Sequence, residues 1–231
     1  MNAAPRPAAL LALALALAAP LRAQEFLDRG TFVIVRGGTE VGREDFAIRR
    51  TAGGGPGALL AVATVHYHDR DLRPALELAG DLVPLSYQVD ISTGGRVVER
   101  FSAQFAHGRI AARLATQQRE VLREFPAPAA VAVLDDDAFH QFYFLPRAAA
   151  GGTRSLRILL PREPALVDGS VRREGPDTVT VAGHPLPADR FALSLPDGEV
   201  RLFWLTSQGD LLRVAIRSRE IVATRTALPP R

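Results

Sequence analysis

The stretch Val133–Arg147, VLDDDAFHQFYFLPR, determines how the rest of the chain can be organised. Its apolar side chains Leu134, Ala138, Phe142 and Leu145 recur at spacings of four, four and three residues. That spacing places them on one stripe of an α-helix, because residues three or four apart share a helix face. The pattern predicts one principal helix at about residues 135–145.

Charged residues fit the two ends of this helix. Asp135 is a suitable N-cap, and Asp136 and Asp137 follow where the helix dipole favours negative charge. Pro146 ends the pattern. The three aspartates also suggest a calcium cluster, but the glycine and distal glutamate of a calcium loop are missing, so capping explains them better. His140 lies off the apolar stripe, and we expect it on the surface.

Most other segments alternate between apolar and polar residues, which is typical of β-strands. In Pro84–Ser92, for example, Leu85, Tyr87, Val89 and Ile91 fall on one face. Turn glycines such as the pairs at 37–38 and 94–95 separate about a dozen such segments. We therefore predict a mainly β fold: an antiparallel meander that forms a curved sheet or incomplete barrel packed on the principal helix.

The first residues have the features of a cleaved secretory signal. Ala8–Ala19 is an apolar run that is too short to span a bilayer, and Leu21-Arg22-Ala23 is a suitable cleavage site. We predict a signal peptide at residues 1–23 and a single β-rich domain at 24–231, in the periplasm or secreted. The chain has no cysteine, so a lipid-anchored form is excluded and no disulfide can form. After signal removal, no transmembrane segment is expected.

Composition excludes several functional classes. All 28 basic residues are arginine, as in a GC-rich bacterial genome, so chemistry that needs lysine is excluded. The net charge is +3, and it falls to +1 without residues 1–23, which gives no reason to expect a nucleic acid partner. The motifs G-x-S-x-G, H-E-x-x-H and S-x-x-K are absent, as is a glycine-rich phosphate loop. We expect neither catalysis nor a cofactor.

Three segments carry a resemblance to known proteins: GTEVGREDFAIRRT at 38–51, LDDDAFHQFYFL at 134–145 and LFWLTSQGDLLRVAI at 202–216. Together they resemble an uncharacterised family of exported bacterial β-rich proteins. In layout, the chain is also similar to the periplasmic lipoprotein carriers and their outer-membrane receptors. That similarity implies an incomplete antiparallel barrel around helices, with acyl chains held in the hollow.

Aromatic residues are the main candidates for a ligand site. In this interpretation the principal helix and the facing strands line a cavity for an apolar or lipid-like ligand. The predicted cavity wall consists of Phe139, Phe142, Tyr143, Tyr87, Phe101, Phe105 and Trp204. The function predicted from this wall is that of an exported soluble binding or carrier module. The alternative is an envelope structural or protein-interaction domain without a small ligand.

His66 and His68 are a weaker candidate site. Residues two apart share one strand face, so both imidazoles could meet one metal ion. A closed metal site needs further ligands, and the sequence does not show which residues would supply them. The pattern fits two solvated histidines at a strand end better than a metal site. The sequence leaves the oligomeric state open.

Overall fold

The computed structural model describes residues 25–51, 55–128, 130–148 and 153–229, so the predicted signal peptide lies outside the described residues. Fifteen strands in this part of the chain form one sheet. They are β1 (Phe26–Arg36), β2 (Thr39–Arg50), β3 (Leu59–Tyr67), β4 (Asp71–Leu78), β5 (Pro84–Thr93), β6 (Arg96–Ala106), β7 (Arg109–Thr116), β8 (Glu120–Pro126), β9 (Val131–Val133), β10 (Arg154–Leu160), β11 (Ala165–Val181), β12 (His184–Ser194), β13 (Val200–Leu205), β14 (Leu211–Ile216) and β15 (Ile221–Arg225).

The sheet is an almost unbroken meander. Its order is β8, β7, β6, β5, β4, β3, β2, β1, β15, β14, β13, β12, β11, β10 and β9. Neighbours are antiparallel, except that β9 runs parallel to β10. The two edge strands, β8 and β9, are separated by only four residues along the chain. Such a connection spans at most about 18 Å, so the sheet must curve until the end of β8 lies within that distance of the start of β9.

Local sequence patterns account for the strands. In β5, Tyr87, Val89 and Ile91 are buried while Gln88 between them is exposed, as alternation requires. The turn between β5 and β6 uses Gly94 and Gly95 at φ values of 58° and 78°. Both values lie in the left-handed region that a two-residue hairpin turn needs and that glycine adopts without strain. The mainly β, antiparallel part of the prediction is confirmed.

The predicted principal helix at 135–145 is wrong. The structure has only a 3-10 turn at His140–Phe144, followed by a four-residue helix α1 (Leu145–Ala148). A further 3-10 turn lies at Arg217–Arg219. No helix in the described part of the chain is long and apolar enough to cross a bilayer.

The segment that replaces the helix fills the interior of the sheet. We call residues 134–145 the plug; ten of its twelve residues are buried, and Asp136 and Asp137 are partly buried. Its side chains contact β2, β5 and β13, which lie far apart in the sheet order. A helix packed on one sheet face would leave its other face to solvent, whereas the plug is surrounded. The apolar residues around it therefore reflect burial on all sides and not a helical stripe.

Apolar packing occurs on both faces of the sheet. The main core joins the inner face of the strands to the plug. A smaller cluster covers the opposite face of the second half of the sheet: Val179, Val181, Ala188, Ala192, Leu202, Trp204, Leu212 and Ala215. We refer to it as the outer cluster.

Candidate functional site

Most of the predicted cavity wall lies in the main core. Phe139, Phe142, Tyr143, Tyr87 and Phe101 are buried there, and Phe105 is partly buried against the same core. Ring centroids of Phe142 and Phe203 lie 5.5 Å apart, and those of Tyr87 and Phe101 lie 6.0 Å apart. These are packing distances for aromatic pairs: Phe142 of the plug contacts Phe203 of β13, and Tyr87 of β5 contacts Phe101 of the neighbouring strand β6. The aromatic residues fill the interior where the sequence analysis placed a hollow.

Trp204 is separated from the other six residues. It belongs to the outer cluster, and its indole Nε1–H donates a 2.8 Å hydrogen bond to Asp177. The guanidinium of Arg213 lies 5.3 Å from its ring centroid. Inward and outward positions alternate along β13, so Phe203 points to the plug while Trp204 points away from it.

A buried acid and histidine hold the plug against β2. Glu44 Oε2 accepts the Phe139 backbone N–H at 2.7 Å, and Oε1 accepts the His140 backbone N–H at 3.0 Å. His140 Nδ1 lies 2.5 Å from the same Oε1, and both side chains are fully buried. Our expectation that His140 lies on the surface is therefore wrong. Since solvent does not reach this pair, we assign it a structural role.

Asp135 bonds to the opposite wall. Its Oδ2 accepts the Tyr87 hydroxyl at 3.0 Å and its Oδ1 accepts the Asp137 N–H at 3.1 Å. Its own N–H donates to Gln141 Oε1 at 2.6 Å. Burial raises the pKa of the Asp135 carboxyl to about 6, although the two hydrogen bonds that its oxygens accept favour the charged form.

The next two aspartates are held by arginines from separate elements. Asp136 accepts from Arg201 at 2.7 Å and pairs with Arg219 at 2.8 Å. Burial alone would raise the pKa of Asp136, but the two guanidinium groups lower it below its usual value. Asp137 pairs with Arg70 and Arg162, each at 2.9 Å. The three consecutive acids therefore anchor the plug to several parts of the wall and do not cap a helix.

The two candidate metal ligands have separate partners. His66 Nδ1 lies 2.7 Å from Asp71, and His68 Nε2 lies 3.1 Å from the Glu40 carbonyl oxygen. Both histidines are exposed. Across the described ranges, no group of three or more acidic or histidine side chains is arranged to hold a metal ion.

A recess opens where the β9 edge of the sheet approaches the turn between β4 and β5. It lies between the β4–β5 turn, β9, the start of β10 and the C-terminal part of the plug, and holds about 110 Å³ of space. We call it the seam recess. Its apolar lining is formed by Leu76, Leu78, Leu82, Val83, Pro84, Ala130, Val131, Ala132, Val133, Phe144, Leu145 and Leu156, with Asp81, Gln141 and Arg154 as polar members.

None of the seven predicted wall residues lines the seam recess. The walls of the recess come from segments that are distant in sequence, about residues 76–84 and 130–156, so no local sequence pattern indicates this site. In the structure Leu82 has a φ of 69°, which is unusual for a bulky residue and identifies a strained turn at the mouth.

Comparisons with known proteins address the fold. No protein-family model matches the chain, and no curated protein matches it. A crystal structure described as a beta-barrel-like protein of domain of unknown function DUF1849, from Brucella abortus, aligns with a TM-score of 0.55 at 11% identity. The alignment covers 86% of this chain and 94% of that chain. At this identity the likeness shows the fold alone: the chain has a β-barrel-like fold that also occurs in a protein of unknown function.

Proposed function

We propose that this chain is an exported, non-catalytic binding module that holds an apolar ligand in the seam recess. The observation that carries the proposal is the recess itself, which has mostly apolar walls. The predicted secretory signal and the β-barrel-like fold are consistent with this function. The ligand is apolar, as the sequence predicts, but its site is the seam recess and not the interior of the sheet.

The plug argues against a carrier with a central hollow. Phe139, Phe142 and Phe101 are buried at 0%, 1% and 0% exposure, and ion pairs fix the plug to several strands. A ligand inside would have to displace the plug and separate charge pairs that are partly or fully buried. Removing one partner of a fully buried pair costs about 3–5 kcal/mol, so ligand entry there is unfavourable.

The size of the seam recess limits what it can hold. An apolar cavity of about 150 Å³ binds benzene, so about 110 Å³ takes one side chain or the end of one aliphatic chain. The remainder of a larger ligand would extend past the mouth, where Val83 is 36% exposed. The module therefore grips part of a ligand or partner and does not enclose it.

The buried polar groups support a role without catalysis. Glu44, His140 and Asp135 are ionisable residues that are fully or almost fully buried. A general acid or base must come within hydrogen-bond reach of a substrate. These three bond to the plug and its walls instead, and none of them lines the seam recess.

Titration with the fluorescent apolar probe N-phenyl-1-naphthylamine would test the proposal. Residues 24–231 would be produced in a bacterial periplasm and purified without detergent, and native and denaturing mass spectra would be compared. We expect saturable probe binding or a released apolar mass. The substitution Val83→Trp would fill the mouth of the recess and weaken probe binding by at least about tenfold.

Val97→Trp is the matched control, because Val97 is a similarly exposed valine that does not line the recess. This variant should bind the probe as the unmodified protein does. Equal binding by Val83→Trp and the unmodified protein would place the site elsewhere. An absence of both probe binding and a released mass would overturn the proposed function.

A further inference from the structure

The seam recess runs along the backbone edge of β9. Four consecutive residues, 130–133, line it. Successive side chains of a strand point to opposite faces. A recess that is lined by all four residues must therefore lie along the edge of the strand and not against one of its faces. Any ligand in the recess therefore meets main-chain groups as well as apolar side chains.

Hydrogen bonding to β10 shows which main-chain groups face the recess. The Arg157 N–H donates to the Ala130 carbonyl at 2.9 Å, and the Leu134 N–H donates to the Leu159 carbonyl at 3.1 Å. Main-chain groups alternate between the two sides of a strand, so the N–H and C=O groups of Val131 and Val133 point away from β10. In the described sheet no strand pairs with β9 on that side.

Burial makes this open edge unusual. Val131 is 9% exposed and Val133 is 3% exposed. Buried main-chain donors and acceptors are nearly always hydrogen-bonded, because leaving them unpaired costs free energy. An aliphatic chain in the recess would leave these groups unpaired, whereas an extended peptide would satisfy them and place a side chain against the apolar walls.

The other edge of the sheet is built differently. The Thr116 N–H bonds to the Arg119 carbonyl, so by alternation the outward positions of β8 are Glu120, Leu122 and Glu124. Glu120 and Glu124 form ion pairs with Arg113 and Arg109 of β7. A charged, exposed edge disfavours pairing with another strand, which is a common protection against aggregation. The β9 edge has no charged residue of its own.

From this contrast we infer that the apolar ligand is an extended peptide segment that adds to β9 as a new strand. The inference rests on the proposed function and specifies the ligand for the same recess. The segment pairs with the main-chain groups of Val131 and Val133 and inserts an uncharged apolar side chain between Leu78, Leu145 and Leu156. The partner is therefore a protein with a short extended segment whose central residues are uncharged.

A peptide selection tests this inference. A displayed library of random peptides about eight residues long would be selected against residues 24–231, and the best binders would be synthesised. We expect enrichment of uncharged β-branched and small apolar residues. Methylation of the peptide nitrogens whose N–H groups point toward β9 should weaken binding at least about tenfold. Methylation of the alternate nitrogens, which point away from β9, should not.

Proline substitutions in the two edge strands provide matched variants. Val131→Pro removes an N–H that faces the recess, and Leu122→Pro removes an outward N–H from β8. Only the first should weaken peptide binding, provided that both variants keep the circular dichroism spectrum and melting temperature of the unmodified protein. Hydrogen exchange offers a measurement without mutation, since bound peptide should slow exchange at Val131 and Val133 and leave Leu122 unchanged.

The outcomes separate this inference from the proposed function. Peptides that bind regardless of backbone methylation, or without slowing exchange at β9, would overturn strand addition. If no peptide is enriched while N-phenyl-1-naphthylamine binds and Val83→Trp blocks it, the recess takes an apolar chain and only this inference fails. If neither probe binds, both proposals fail.

Discussion

His140 Nδ1 and Glu44 Oε1 lie 2.5 Å apart between two side chains that are completely buried. The same carboxylate also accepts two backbone N–H groups of the plug, so one acidic residue of β2 fixes the position at which the 3-10 turn begins. A carboxylate without solvent is stable only if its oxygens are fully paired, and here they are.

Glu44→Gln should therefore destabilise the protein by about 3 kcal/mol. The amide has only one acceptor oxygen, and its NH₂ group would face a backbone N–H that now lacks a partner. Urea unfolding followed by circular dichroism would measure the change. Glu40→Gln, at an exposed position of the same strand, should change the free energy of unfolding by less than about 0.5 kcal/mol. Equal effects of the two substitutions would contradict a structural role for the buried pair.

Asp135 should make stability depend on pH. Burial raises the pKa of its carboxyl from 3.8 to about 6 in the folded protein, so between these values the folded state binds more protons than the unfolded state. Stability contributed by this group therefore falls as pH rises from about 4 to 6, and the loss is complete above that range. A shift of this size corresponds to about 3 kcal/mol.

Asp135→Asn removes this titration. The difference in unfolding free energy between the unmodified protein and the variant should shift by about 3 kcal/mol between pH 4 and pH 7, with the variant relatively more stable at pH 7. Asp168→Asn, at an exposed position, serves as the control and should leave the pH profile unchanged. A pH-independent difference for Asp135→Asn would show that its carboxyl is not held at a raised pKa.

The strands were predictable because their signals are local. Alternation in β5 and the paired glycines at 94–95 depend on residues that are close in the sequence. The plug could not be recognised in the same way. Leu134, Ala138, Phe142 and Leu145 have helical spacing, but whether such residues form a helix depends on what surrounds them. Here Tyr87, Arg201 and Glu44, all distant in sequence, supply the plug's partners.

The same reasoning explains the errors in the candidate site. Phe203 and Trp204 are adjacent, so one must point inward and the other outward, and the sequence does not show which side is the interior. The seam recess depends on the approach of the β9 edge to the β4–β5 turn, which is a property of the whole meander. Local patterns could identify the buried aromatic residues but not the space around them.

Asp136 and Arg201 should be strongly coupled. Their atoms lie 2.7 Å apart, and the Arg201 side chain is 1% exposed. A double-mutant cycle with Asp136→Asn and Arg201→Met should give a coupling energy of about 2 kcal/mol. The exposed pair Arg113 and Glu120 is the comparison, with an expected coupling below about 1 kcal/mol, because solvent screens it. Similar coupling in both pairs would argue that the plug is not anchored through Asp136.

A substitution at Trp204 tests whether the ligand contacts the cavity wall predicted from the sequence or the seam recess. It packs in the outer cluster with its Nε1–H bonded to Asp177, so Trp204→Phe should lower the free energy of unfolding by about 1 kcal/mol through the lost hydrogen bond. The variant should still bind N-phenyl-1-naphthylamine with unchanged affinity, since Trp204 does not line the seam recess. Val83→Trp, measured in parallel, should lose affinity while its unfolding free energy stays within about 0.5 kcal/mol, because Val83 is partly exposed. If the Trp204→Phe protein is folded but no longer binds the probe, Trp204 contributes to the ligand site. That result would contradict a site in the seam recess.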